Sequence, residues 1–292
     1  MTNDLTTPGS GGMPADPAQQ QEYLRQYAQA YADAEPSTGQ TISVNNGVMT
    51  VGDQTIPGNQ FAAIILDAVH LNTFYGSAYN PNAIVPPTCY AIGRNEMEMA
   101  PHPDMQKDLS FFAPQADRCA ACPQNVFGSA AQGNGKACRN RRRMLLLVAG
   151  TYDHQGQLQP ITDPTYYETT PLLTLNIAPT SAKNWQRFVR DTRGSYNLPP
   201  FAMIARIYLY PHEKHGKEAI GFEILAPAPY EWHPTLIRRH QGAESQIGEG
   251  YEPPSDEVRG GAFQRPGAFQ RPGAFQRPGA QQGPNFGQGS AG

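Results

Sequence analysis

Cys119-Ala-Ala-Cys122-Pro123, followed by Cys138-Arg139-Asn-Arg-Arg-Arg143-Met144-Leu-Leu-Leu-Val148, is the stretch on which the fold turns. Two cysteines separated by two residues can place both thiolates on one zinc ion, the simplest half-site a chain can build. The short all-apolar run Met144 to Val148, leaving a charged cluster, has the character of a central core strand. The stretch therefore predicts a metal-pinned loop that hands over to a basic strand. Cys89 and Cys138 complete a ligand set of Cys89, Cys119, Cys122 and Cys138, which uses every cysteine in the chain. Because Cys89 and Cys138 lie far apart, the fold has to bring them together. His102, in Pro101-His102-Pro103, is a substitute ligand if one cysteine stays free. The competing readings are a disulfide, inert buried thiols and a redox-active C-x-x-C. The polar N-terminus has no apolar signal segment, which points to a reducing cytoplasm and disfavours disulfides. A redox motif would open a helix after a strand, whereas this one sits among Pro114, Pro123 and several glycines.

Outward from this stretch, 292 residues with 39% hydrophobic content suffice for one good core. A net charge of −3 means that any affinity for a polyanion comes from local clustering rather than a global field. No apolar run is long enough to span a membrane, and a soluble protein is expected. The expected organisation is a disordered tail over 1–17, one nucleic-acid-binding domain over 18–240 with its zinc loop at 86–143, and a disordered acidic spacer and repeat tail over 241–292.

Within the domain, residues 18–35 carry Tyr23, Tyr27 and Tyr31 at i,i+4 spacing, a helix laying a tyrosine stripe on the domain. Thr41 to Val44 and Val48 to Val51 flank Asn46-Gly47, a tight-turn signal, and read as a hairpin. Phe61 to Val69 reads as a buried strand and Leu172 to Ile177 as another. Thr180 or Ser181 caps a helix over 182–191 that buries Trp185, Phe188 and Val189. Two further strands, Ala202 to Tyr210 and Ala219 to Leu225, join through a polar turn around His212 to Lys217. After about Glu231 the packing signal fades. Glu244, Glu249, Glu252, Asp256 and Glu257 then follow without a lysine or arginine, and Gly-Ala-Phe-Gln-Arg-Pro occurs three times from Gly261 to Pro278. Repeats this short cannot bury a core. Their phenylalanines and arginines are stickers for bases and phosphates or for self-association, or simply a linker. Many strands and few helices predict a mostly β (α+β) fold, an OB-like barrel elaborated by the zinc loop.

Enzyme signatures fail on inspection. The zinc-deaminase pattern needs H-x-E and P-C-x-x-C, but His102 is followed by Pro103-Asp104 and Arg118 precedes Cys119. His212, Glu213 and His215 lack the spacing of H-E-x-x-H. No P-loop or nucleophile elbow is present, and no catalysis is expected. A binding constellation remains. Lys136, Arg139, Arg141, Arg142 and Arg143 have no acidic residue among them, and Tyr75, Tyr79, Tyr90, Phe111, Phe112 and Phe127 supply aromatic faces nearby. Cations neutralise phosphates while rings stack on unpaired bases.

The order of these features resembles a group of bacteriophage zinc-containing single-stranded DNA-binding proteins of replication and recombination modules. The likeness rests on the Thr41 to Val51 hairpin, the Phe61 to Asp67 strand, Phe74-Tyr75 with Tyr79, Pro86-Pro87-Thr88-Cys89, and Cys119-Ala-Ala-Cys122-Pro123 with Asn125 and Gly128-Ser129. Gly135-Lys136-Ala137-Cys138, the Arg142-Arg143 exit, and Pro179-Thr180-Ser181 leading to Trp185 extend it over about residues 40–226. It implies a phage origin in a bacterial host cytoplasm, four zinc-ligating cysteines, coating of exposed DNA strands, and replication or recombination proteins as partners. It does not carry the tails: the acidic stretch is internal, which puts recruitment through a C-terminal tip in doubt. The alternatives from other classes are a structural or assembly protein of a virion or phage-induced compartment, and an RNA-binding zinc protein.

Overall fold

Two long antiparallel strands form the spine: β4 (Gln60–Phe74), and β6 (Arg139–Tyr152), which is the strand expected at Met144 extended in both directions. The computed structural model describes residues 41–77, 85–212 and 217–251. The remaining strands are β1 (Thr41–Asn45), β2 (Val48–Val51), β3 (Gln54–Thr55), β5 (Cys89–Gly93), β7 (Leu158–Pro160), β8 (Leu173–Ile177), β9 (Met203–His212) and β10 (Lys217–Pro227). They form one ten-stranded mixed sheet along the path β10-β9-β4-β6-β8-β1-β2-β3, with β5 added to β4 and β7 to β6. Among the described residues three α-helices complete the domain: α1 (Tyr166–Thr169), α2 (Pro179–Asp191) and α3 (His233–Gln246).

The sheet is curled into a half-barrel because its two longest strands carry register shifts, between Ala62 and Ala63 and between Ile65 and Asp67. Such bulges sharpen strand twist and bend. Side chains alternate across the pleat, and each face has its own core. Ile42, Met49, Phe61, Ile65, Met144, Leu146, Leu175 and Ile207 pack with Trp185 and Phe188 of α2. Ala62, Ile64, Leu66, Leu145 and Leu147 pack on the other face with Tyr167, Trp232, Leu236 and Ala243. Burial on both faces explains why β4 and β6 read as continuous apolar runs.

The mostly β expectation is met, and the hairpin at Thr41–Val51 forms as its sequence demands. Asn46 and Gly47 both take positive φ, 50° and 78°, as a two-residue hairpin turn of this hand requires. Of the OB-like barrel, the structure has the curl but not a closed path: among the described residues the strand order runs open from β10 to β3. Two other expectations are corrected. Neither Thr180 nor Ser181 caps α2, which begins at Pro179 after an extended Ala178. The Ser181 hydroxyl instead accepts the Ile220 N–H at 2.8 Å, while Asn184 donates to the Ile220 carbonyl at 2.8 Å. Packing does not fade after Glu231 either, and the spacer expected from Gln241 begins inside α3. Leu236, Ala243 and Ile247 are fully buried, so order continues to Tyr251. The tyrosine stripe of 18–35, Tyr79 and the hexapeptide repeats lie outside the described residues.

Candidate nucleic-acid interface and four-cysteine enclosure

Pairing between β4 and β5 sets the first cysteine: Phe74 stands opposite Cys89, and Asn72 opposite Ala91. The C-x-x-C step is a tight turn in which the Cys122 N–H donates to the Cys119 carbonyl. Pro123 opens a second turn, and the Asn125 side chain donates back to the Cys119 carbonyl at 2.9 Å. The loop returns through Gly128, whose φ of +86° only glycine adopts readily and whose N–H reaches the Gly135 carbonyl at 2.9 Å. Ser129 Oγ accepts the Ala137 N–H, and the Cys138 N–H meets the Gln124 carbonyl at 2.7 Å, one residue before β6 begins. These bonds deliver Cys89, Cys119, Cys122 and Cys138 to one enclosure, with Asn72, Gln115 and Asn125 also in its wall.

The enclosure has a volume of about 20 Å³. A single water or ion needs roughly 10–15 Å³, and a substrate hundreds, so the space suits an ion and not a metabolite. All four cysteines are free thiols, and Cys122 and Cys138 are buried. Burial, and then the mutual proximity of the sulfurs, pushes Cys138 up to about 12. Burial likewise pushes Cys89 up to about 11, against a backbone N–H from Gln115 that favours its thiolate. Cys119 is raised by burial, while Asn72 donates toward its sulfur and favours the anion. Asn72 Nδ2 is buried with no fully formed hydrogen bond, and its Oδ1 accepts from Asn140 at 2.7 Å. Protonated thiols are poor nucleophiles, and a cation is what converts such a group into thiolate ligands. Among the described residues no three His, Cys, Asp or Glu side chains stand at metal-ligand spacing. The donor set itself fits zinc: four soft ligands, polar donors aimed at two of the sulfurs, and room for one ion. His102 is not in this wall. Its Nε2 lies 2.9 Å from the Gly248 carbonyl, and its Nδ1 accepts the Asp104 N–H.

The arginines do not act as one cluster, because β6 alternates them. Arg139, Arg141 and Arg143 stand opposite Thr73, Leu71 and Val69 on one face, and Arg142 stands opposite His70 on the other. Arg139 lies over the Tyr75 ring at 5.4 Å, and Arg141 is within electrostatic range of the same tyrosine. Tyr75 is 38% exposed and Phe127 81%. Lys136 sits 5.3 Å from the Phe127 ring and donates to Asn125 Oδ1 at 3.2 Å, which links this cation to the C-x-x-C turn. Arg143 is committed elsewhere: it donates to the Ile247 and Glu249 carbonyls at 3.3 and 2.8 Å and lies over Tyr251. Arg142 is half-buried, and burial lowers its pKa. Phe111, Phe112 and Tyr90, expected as stacking faces, form a separate small core with Met105 and are corrected to structural residues.

Sequence reasoning thus named the four thiols that the fold gathers in one enclosure, and Tyr75, Phe127, Lys136, Arg139 and Arg141, which lie around the start of β6. It missed Asn72, Gln115 and Asn140, because polar residues that serve a site through cross-strand pairing carry no local motif. Among the described residues no helix is long and apolar enough to cross a membrane. No protein-family model matches the chain, and neither does any curated protein or solved structure.

Proposed function

We propose that this protein binds and coats unpaired DNA without catalysis, using a loop pinned by zinc on Cys89, Cys119, Cys122 and Cys138. The observation that carries the reading is the pairing of exposed rings with cations. Tyr75 under Arg139 and Phe127 under Lys136 flank the start of β6, with Arg141 on the same face as Arg139. A ring with a cation beside it can stack a base and hold its phosphate, and stacking contributes about 1–3 kcal/mol per base with little sequence preference. A curled sheet presenting such a face would do what an OB-like barrel does for single strands. Bound zinc would supply no chemistry beyond fixing the loop, and Asn72 and Gln115 would orient two of its sulfur ligands. The resemblance noted above supports a place in phage replication or recombination within the host cytoplasm, with proteins of those processes as partners.

The test is a salt-resolved titration of the full chain against unpaired and paired DNA. Affinity should favour the unpaired strand and fall steeply with salt. Arg139→Ala with Arg141→Ala should lower the slope of log affinity against log salt by roughly 0.7 per lost contact. An unchanged slope in a folded variant would remove these arginines from the interface. Equal or better binding to matched RNA would favour the RNA reading, and assembly without nucleic acid the scaffold reading.

A further inference from the structure

Far from the cysteines, the face that carries α2 is left open over a cleft of about 550 Å³, walled by Ile42, Val51, Ile56, Phe61, Tyr166 and Leu173. The proposed nucleic-acid interface does not use it. We infer that residues 18–35 dock here, their Tyr23, Tyr27 and Tyr31 face lying in the cleft as a helix lies in a groove.

Three observations select this occupant. The first is where the chain enters. β1 runs parallel to β8 with Thr41 opposite Thr174, so the chain preceding Thr41 leaves beside Leu173 and Pro171, which themselves line the cleft. The second is the tether. Only Pro36-Ser-Thr-Gly-Gln40 separates the tyrosine segment from β1. At about 3.3 Å per residue this linker reaches no more than roughly 17 Å, and so short a link holds the segment at an effective concentration near millimolar. The third is chemical match. The cleft wall is mainly aliphatic and aromatic with Gln54, Thr55 and Thr170 interspersed. Tyrosines bury a large apolar ring while keeping a hydroxyl for such polar neighbours.

The hexapeptide tail is worse placed. It follows Tyr251, which packs on Tyr90, and Tyr90 pairs with Thr73. The cleft residue Phe61 lies toward the opposite end of β4, twelve positions along and about 40 Å away at the rise of a strand.

A photo-reactive amino acid in place of Tyr27, in an otherwise intact full chain, tests this. Mixing isotope-labelled and unlabelled protein before illumination separates contacts within a chain from contacts between copies. The expected result is a crosslink within one chain to the peptides carrying Ile56 or Leu173, unchanged when the chain is truncated after Val258. Crosslinks only between copies, crosslinks elsewhere on the domain, or none at all would overturn the inference. Hydrogen exchange gives an independent reading. Tyr23→Ser, Tyr27→Ser and Tyr31→Ser together should speed exchange across Ile42 to Val51 and leave the cysteine loop unchanged, and equal exchange in both proteins would overturn it.

Discussion

The two ends of the paired strands β4 and β6 share one ladder and one direction, yet they carry opposite chemistry. From Phe61 to Leu66, against Leu145 to Thr151, nearly every side chain is buried between two cores. From Val69 to Phe74, against Arg139 to Arg143, the same backbone presents His70, Asn72, Thr73 and arginines. Backbone pairing is therefore indifferent to what it carries. What differs is the cover: helices α2 and α3 at one end, and at the other an irregular loop whose three thiols meet Cys89 of β5. The apolar end holds itself by packing, and the polar end needs something else to close its long loop, which is the work a structural metal can do.

The comparison can be broken most forcefully at the apolar end. Leu146 is fully buried, so Leu146→Ala should cost about 2–5 kcal/mol in urea unfolding. A much smaller loss would mean that the helices, not the strands, hold that end. Cys122→Ser comes next. If zinc pins the loop as proposed, this change should release it and speed hydrogen exchange through residues 86–138 while leaving Leu145 to Ala149 protected. Equal loss at both ends would show one cooperative unit and erase the distinction. Arg143→Ala removes a charged donor from two carbonyls, interactions of the class that contributes about 1.5–3 kcal/mol. It should loosen Ile247 to Tyr251 with little change in the salt slope of DNA binding, because this arginine is already occupied.

The smallest effect is expected in alkali. Tyr167 donates its hydroxyl to the Ile161 carbonyl at 2.6 Å, and burial pushes its pKa up to about 12. Its ordinary value is 10.0, so the folded state favours the protonated form. Its contribution is complete below pH 10 and drains away as the pH rises from 10 toward 12. Tyr167→Phe should flatten that part of the pH dependence of unfolding, and an unchanged profile would place the alkaline loss at the cysteine end.

What the sequence made legible follows the same division. Local signals were faithful: Asn46-Gly47 gave the hairpin, alternating or continuous apolar runs gave the strands, and C-x-x-C gave the turn. Nonlocal needs were invisible. Asn72 and Thr73 look like the end of a strand, but β4 runs through them because β5 and β6 pair on either side. Helix α3 was hidden because only Leu236 and Ala243 of its residues are buried and Gly242 sits between them. Ser181 resembles a cap, yet its partner is a strand 39 positions away. Aromatics without periodicity, such as Phe111 and Phe112, do not announce whether they face solvent or one another.

The meeting of α2 with β10 reaches beyond the single molecule. An outer strand normally offers its unpaired amides to any passing strand, but at Ile220 both backbone groups already belong to Ser181 and Asn184. Neighbouring copies are thus denied a ribbon-like splice at that position.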